Sequence, residues 1–482
     1  MSICRRDFLA AGVAGLAGWS ARSWAADLPT TADLAGDIEI LRQALELHPG
    51  LTRYNSTNEI DAAVAELRKS FIAAPSIELR YLALSRFLAS IRCGHTYANF
   101  FNQKKAVSAQ LFDRPTRLPY QFAWVGGAMI VTRDPSGELP PGTRIAEING
   151  IDPERLLRTL LPLIRADGHN DGKRISLLEV QGTETIETFD VFQGLVAPPR
   201  DGVHIITAAL PDGSTKRLER AAISLAERKS QMRAAAEGSD GALWTWEVRP
   251  DRIAVLHMPT WALYDSKWDW KTWLTERIDP SNGATGLIID LRDNEGGEDC
   301  GNLILERLIS RPYTPPKTEQ RLRFTRTPAA IDRYLDTWDD SFRTLGVGAQ
   351  PLPEGFYLRP GAKEILSLTP AGKRLEMPVV VLISPVNSSA TFQFAQNFRR
   401  IGGGRLVGQT TGGNRRGING GCFFFVRLPA SGLEFDLPLV GEFPLEPQPD
   451  AGLEPDVLVE RTTADIRAGR DGAFERALRL LS

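Results

Sequence analysis

Three stretches near the start of the chain space their apolar residues three and four apart: "DLAGDIEILRQALELHP", "TNEIDAAVAELRKSFIAA" and "SIELRYLALSRFLASI". That period predicts helices. Asp, Asn or Ser near each start, with Pro49 and Pro75 between them, predicts where they begin and end. The expected unit is three-helical, falls within residues 30–110 and ends abruptly at "RCGHTYANF". From about residue 117 the period shortens toward two. "LPYQFAWVGGAMIVT" predicts two short strands around Gly126-Gly127, and "PPGTRIAEINGIDPERLLRTLLPLI" predicts turn, strand, Asn-Gly turn and helix. A polar segment at 166–185 interrupts. "FDVFQGL" and "VHIITAALPDGSTKRLERA" then read as further strands, the second a hairpin turning at Asp212-Gly213. Residues 117–222 are therefore expected to form a mostly β module, followed at 224–240 by a linker rich in Ala, Glu and Lys.

Beyond residue 243 strands and helices alternate. "WTWEVRPDRIAVLHMPT" supplies strands and "SKWDWKTWLTERI" a helix. "ATGLIIDLRDNEGGEDCGNLILERLIS" reads as strand, glycine turn and helix. After an irregular stretch at 311–375 come "MPVVVLISPVNSSATFQFAQNFRRIG", "GRLVGQTTGG", the aromatic run "GGCFFFVRLP", expected as strand core, and "LEFDLPL". Alternation of this kind predicts an α/β domain over 243–482, with functional loops at strand ends.

Composition narrows the function. With 57 basic against 59 acidic residues, the net charge is −2, which offers no electrostatic footprint for nucleic acid. Five scattered histidines and no Cys or His pair at ligand spacing give a metal site no support, and no cofactor is expected. The N-terminus carries Arg5-Arg6, then Phe8-Leu9, a small-residue apolar run and Ser23-Trp24-Ala25. This is the layout of a twin-arginine export signal over 1–25, too short and Gly-rich to anchor stably in a membrane. The expected location is periplasmic or secreted. Downstream, Cys93, Cys300 and Cys422 are an odd number placed far apart, so at least one is unpaired.

Chemistry enters with "SPVNSSATFQF", where a core strand turns into a helix. Its hydroxyls are open to two readings. Ser388 and Ser389 suit a helix cap, since Ser oxygens accept from first-turn N–H groups. They equally suit a nucleophile at a helix N-terminus. Two other segments favour the second reading. "GLIIDLRDNEGG" ends a buried strand with Gly296-Gly297, whose N–H groups can face an oxyanion unobstructed. "GHT" places His95 directly after a helix. A hydroxyl, an imidazole and a glycine-rich N–H pair are the parts of acyl transfer by serine.

The segments "GLIIDLRDNEGG", "VVVLISPVNSSAT", "RLVGQTTGG" and "GLEPDV" resemble those of the C-terminal processing proteases, the S41 serine peptidases. "HPGLTRY" followed by "LASIRCGHT" resembles the branch related to the tricorn core protease, and "PGTRIAEING" is similar to the PDZ-like domain such proteins carry. The resemblance implies an α/β fold with a ClpP/crotonase-like catalytic core, an N-terminal helical unit and a PDZ-like β module. It implies Ser389 as nucleophile and Ala390 with Gly296 or Gly297 as oxyanion donors. In the C-terminal processing branch a lysine base follows the nucleophile by about 25 residues, but here Asn414 stands in that place, and Asn cannot accept a proton. Arg415 and Arg416 remain protonated. The tricorn-like branch instead implies His95 as base, supported by an acid from "GEFPLEPQPDAGLEPD": Glu446 is favoured over Glu442 and Asp450. Arg415 or Arg416 is open to pairing with a substrate carboxylate.

The expected function is an exported serine peptidase acting on peptide or protein substrates, with the β module receiving an extended peptide by strand addition. The alternative is an S41-like binding protein that holds a peptide or apolar ligand without hydrolysis. A crotonase-type acyl-CoA enzyme would share the strand–Gly–Gly–helix geometry, but export argues against a cytosolic substrate.

Overall fold

The computed structural model describes residues 29–232, 241–279, 283–361 and 367–482; the expected export signal at 1–25 lies outside the described residues. The three N-terminal helices form as Thr31–Leu45, Thr57–Ala73 and Ile77–Ser90. Their caps are Thr30, Ser56 and Ser76, and the first two close capping boxes with Asp33 and Glu59. Each such cap stabilises its helix by about 1 kcal/mol. A fourth helix, Lys105–Phe112, follows the His95 turn.

The β module is a five-stranded antiparallel meander, Gln121–Val125, Ala128–Arg133, Arg144–Ile148, Val203–Ala209 and Thr215–Ala221. Its first hairpin turns through Gly126 and Gly127, both with positive φ, the backbone that a two-residue hairpin requires. Two expectations are corrected. "FDVFQGL" lies within a helix, Thr188–Val196, buried on nearly every side; a short apolar run cannot reveal its period. Strand addition meets a closed edge: Val180 pairs with Phe122 outside the first strand, and the Glu179 carboxylate accepts from the Trp124 N–H at 3.0 Å. The opposite edge strand reads TKRLERA, a charged edge of the kind that discourages pairing. The expected linker opens with a capped helix, Leu225–Ser230, whose buried Arg228 pairs with Asp190 inside the module.

The α/β core is a six-stranded sheet ordered Val457–Leu458, Arg405–Gly408, Val379–Ile383, Gly286–Asp290, Ile253–His257 and Thr245–Val248. All neighbours are parallel except the last pair. "VVVLI" is buried throughout, as a central parallel strand covered on both faces must be. A second six-stranded sheet, which the irregular reading of 311–375 did not anticipate, joins Thr318–Leu322, Leu335–Asp336, Gln350–Pro351 and Tyr357–Leu358 to the long pair Asn419–Arg427 and Glu434–Pro444. This sheet shares one hydrophobic core with the N-terminal helices and the β module, while the parallel sheet has its own. The junction of the two cores holds the candidate site.

Candidate active site

Ser389 opens the helix Ser389–Arg400 directly after the loop that ends strand Val379–Ile383. Its φ is +50°, a left-handed conformation that is strained for a residue with a Cβ. Strain at the tip of a strand–loop–helix turn lifts the hydroxyl out of the helix end. Among the described residues that hydroxyl has no hydrogen-bond partner. The capping reading therefore fails: Ser388 occupies the cap position without a side-chain cap bond, and its Oγ donates to the Glu295 carbonyl at 3.0 Å.

Gly296 and Gly297 have φ of 115° and 136°. A Cβ on Gly296 would stand 2.8 Å from the Ser388 carbonyl and 2.9 Å from the Ser389 Cβ; one on Gly297 would stand 2.2 Å from the Trp261 carbonyl. Only glycine allows this loop to pack on the serine turn. The Gly296 N–H donates to Asn294 Oδ1 at 2.8 Å, so the expectation of Gly296 as an oxyanion donor is corrected. The N–H groups of Gly297 and Ala390 are not committed to partners among the described residues.

Two buried asparagines lock this arrangement, a bracing role that the sequence reading did not assign to either. Asn294 Oδ1 also accepts from Thr391 in the first turn of the Ser389 helix. Asn387 donates to the carbonyls of Leu291 and Asn294. Their signal was present in "RDNEGG" and "PVNSSA", as amide side chains beside glycine and serine turns.

His95 lines the same cavity of about 930 Å³ as Ser389, Gly296, Gly297 and Ala390. Its turn is clamped from the polar segment that the sequence reading left without a role. The Asp167 carboxylate accepts from the Gly94 N–H at 2.8 Å, and Arg165 donates to the Gly94 carbonyl at 2.9 Å. Behind the turn, His48 sits fully buried. Its Nδ1 accepts from the Gly50 N–H at 3.0 Å, so its Nε2 carries the proton towards Thr96 Oγ1 at 2.8 Å. Burial lowers the His48 pKa to about 3. Burial also lowers that of His95, with the Asp167 charge opposing, so the imidazole is neutral and able to take a proton at neutral pH. The ring lies 6.0 Å from that of Phe423, and its buried Nδ1 has no hydrogen-bond partner among the described residues.

Glu295, between Asn294 and the glycine pair, is tied to Arg165 at 3.0 Å and to Lys173. Burial alone would raise its pKa, but the two cations outweigh it and hold the carboxyl well below the usual range. Lys173 is itself buried; its Nζ donates to the Val386 carbonyl at 2.7 Å and lies 3.5 Å from Ser388 Oγ. Residues 165–173 thus brace both the His95 turn and the glycine loop.

Of the three acids considered, Glu442 alone lines the cavity. Its carboxylate accepts from Gln393, one helical turn beyond Ser389, at 2.7 Å, and burial raises its pKa. The structure corrects the preference for Glu446, which is exposed in the segment after strand Glu434–Pro444 and outside the cavity. Asp450 is engaged elsewhere, by His169 Nδ1 at 2.5 Å and by Asn414 at 2.7 Å. Asn414 is a buried brace that also donates to the Asp167 carbonyl. Arg415 reaches Gln448, and Arg416 lies over the Tyr54 ring; neither lines the cavity.

Residues 252–419, which carry both the glycine loop and the serine turn, match the model of peptidase family S41. The fold of mature CPAF complexed with lactacystin is similar, with a TM-score of 0.59 at 16% identity over 93% of this chain and 97% of that one. The photosystem II D1 C-terminal processing protease aligns at a TM-score of 0.43 and 14% identity, over 93% and 97% of the two chains. The tricorn protease aligns at 0.35 and 15%, over 94% of this chain and 36% of that one. No curated protein matches. The family match, with the serine turn and the glycine loop inside it, supports a serine-type peptidase. The likeness to family S41 extends over residues 252–419, about a third of the chain.

Proposed function

We propose that the chain hydrolyses peptide bonds with Ser389 as nucleophile and His95 as general base. The observation that carries this reading is the placement of a strained, unpartnered serine and a neutral imidazole on one cavity with two uncommitted N–H groups. Ser389 Oγ attacks the scissile carbonyl as its proton passes to His95. The N–H groups of Gly297 and Ala390 stabilise the oxyanion. His95 then returns the proton to the departing amine, and water repeats the sequence to release the acyl group. Glu442 is the acid from the C-terminal segment that lines the same cavity as His95 and is the candidate for the supporting role. Gly296 serves as the spacer that lets the loops pack, and Asn414 has no part in proton transfer.

The substrate is a peptide or protein. The twin-arginine pattern at 1–25 supports delivery to the periplasm or beyond. No helix among the described residues is long and apolar enough to cross a membrane.

A fluorophosphonate probe tests the chemistry. Intact protein should be labelled at Ser389, and Ser389→Ala should abolish labelling while melting within a few degrees of the parent. Failure to label Ser389 would favour the non-hydrolytic binding protein.

A further inference from the structure

The cavity beside Ser389 is walled by aromatic rings that proton transfer does not use. Phe423 and Phe425 alternate along strand Asn419–Arg427 and face the cavity, whereas Phe424 between them turns into the core. Trp338 covers them, its ring 5.9 Å from Phe423, 5.8 Å from Phe425 and 5.3 Å from Phe342. It is nevertheless 47% exposed at the mouth. The pairing of Leu335–Asp336 with Val426 and Phe425 fixes its approach. On the side of the glycine loop stands Tyr264, 54% exposed, three residues after the Trp261 carbonyl on which Gly297 packs. The rings therefore flank the reacting serine, one set beside His95 and one beside the oxyanion donors.

Asp265, Asp299 and Arg359 bring charges of both signs to the cavity lining, and the inner acids are held by protein groups. Glu295 is neutralised by Arg165 and Lys173, and Glu442 is held by Gln393. Asp436, at the cavity wall, accepts from Asn99 at 2.7 Å and Asn102 at 2.9 Å. Burial pushes its pKa up to about 7, so much of its charge is lost at neutral pH. Two large aromatic side chains left in water at a catalytic mouth instead supply apolar area that an incoming ring would cover, with edge-to-face geometry adding to the gain.

We propose that Trp338 and Phe423, on the His95 side, form the subsite for the substrate side chain next to the scissile bond, and that it selects a bulky aromatic residue there. This rests on Ser389 being the nucleophile.

The test uses the full chain and peptidyl diphenyl phosphonates that differ only in the side chain beside phosphorus: Phe, Leu, Lys or Ala. Attack by Ser389 Oγ forms the serine–phosphorus bond and expels phenol, so the inactivation rate reports on both nucleophile and subsite. The Phe reagent should react about tenfold or more faster than the Ala reagent, the discrimination expected of an apolar pocket. In Trp338→Ala that ratio should fall to within about threefold, and Trp338→Phe should restore most of it. A ratio taken within one preparation does not depend on its folded fraction. Equal Phe and Ala rates in the parent, a Lys reagent fastest of all, or a ratio unchanged in Trp338→Ala would each overturn the subsite while leaving the nucleophile in place. Failure of every phosphonate and of the fluorophosphonate to label Ser389 would overturn the nucleophile, and the subsite with it.

Discussion

The carboxylate of Asp167 accepts a hydrogen bond from the backbone N–H of Gly94 at 2.8 Å, one residue before His95. Arg165, two residues from Asp167, holds the carbonyl of the same glycine and reaches on to Glu295 beside the glycine loop. A short polar segment thus sets the His95 turn and the glycine loop against one another, although they lie about 200 residues apart in sequence.

Asp167→Ala should release the His95 turn. The lost charge-assisted bond costs about 1.5–3 kcal/mol, and probe labelling of Ser389 should slow by about tenfold or more because the base is no longer held. Thermal melts with labelling rates check both effects. A melting shift with no change in labelling would show that the segment holds the fold and not the base.

The two glutamates of the C-terminal segment should separate cleanly. Glu442→Gln removes the charge from the cavity wall and should lower the labelling rate by about tenfold or more. Glu446→Gln alters an exposed position, and its rate and melting temperature should match those of the parent. A loss confined to Glu446→Gln would return the supporting role to that residue.

Activity should fall on the acid side, with a midpoint below the ordinary histidine value of about 6.5, because burial disfavours the charged His95. Stability should move in the same direction. His48 is neutral in the folded chain down to about pH 3, while the unfolded chain takes up a proton near 6.5. Its contribution is therefore present above 6.5 and is lost progressively as pH drops below it, by up to about 1.4 kcal/mol per pH unit. Denaturant melts between pH 7 and 4.5 measure the slope, and replacing His48 by Gln should flatten it. A midpoint above 6.5 would contradict the buried, neutral imidazole.

Asn414→Lys should create no second base. The Asn414 amide is wedged against Gly168 and bonded to Asp450 and to the Asp167 carbonyl, so a longer cation there must displace the segment that carries Asp167. The expected result is a lower melting temperature and slower labelling in His95-intact protein. In His95→Ala, no activity should be rescued.

Several features were legible in the chain because they depend on neighbours a few residues apart. The 3.6-residue spacing marked the N-terminal helices, the buried run "VVVLI" marked the central strand, and Gly126-Gly127 marked a hairpin. The serine turn, the glycine loop and the "GHT" segment carry their chemistry in short motifs, so the serine-peptidase reading could be made from sequence. Tertiary structure decided what depends on long-range approach. "FDVFQGL" became a helix because burial on every side, not periodicity, sets its state. Ser388 turned from cap to brace only once Glu295 packed beside it, and the bond from Gly296 to Asn294 engaged one N–H of the glycine pair and left that of Gly297 uncommitted among the described residues. Glu442 and Glu446 are four residues apart and alike in sequence. Strand Glu434–Pro444 carries the first to the cavity wall and ends before the second, which solvent then surrounds. Lys173, Asp167 and Trp338 likewise had no local signature, because each acts through elements far from it in the chain and gains its role only where the two cores meet.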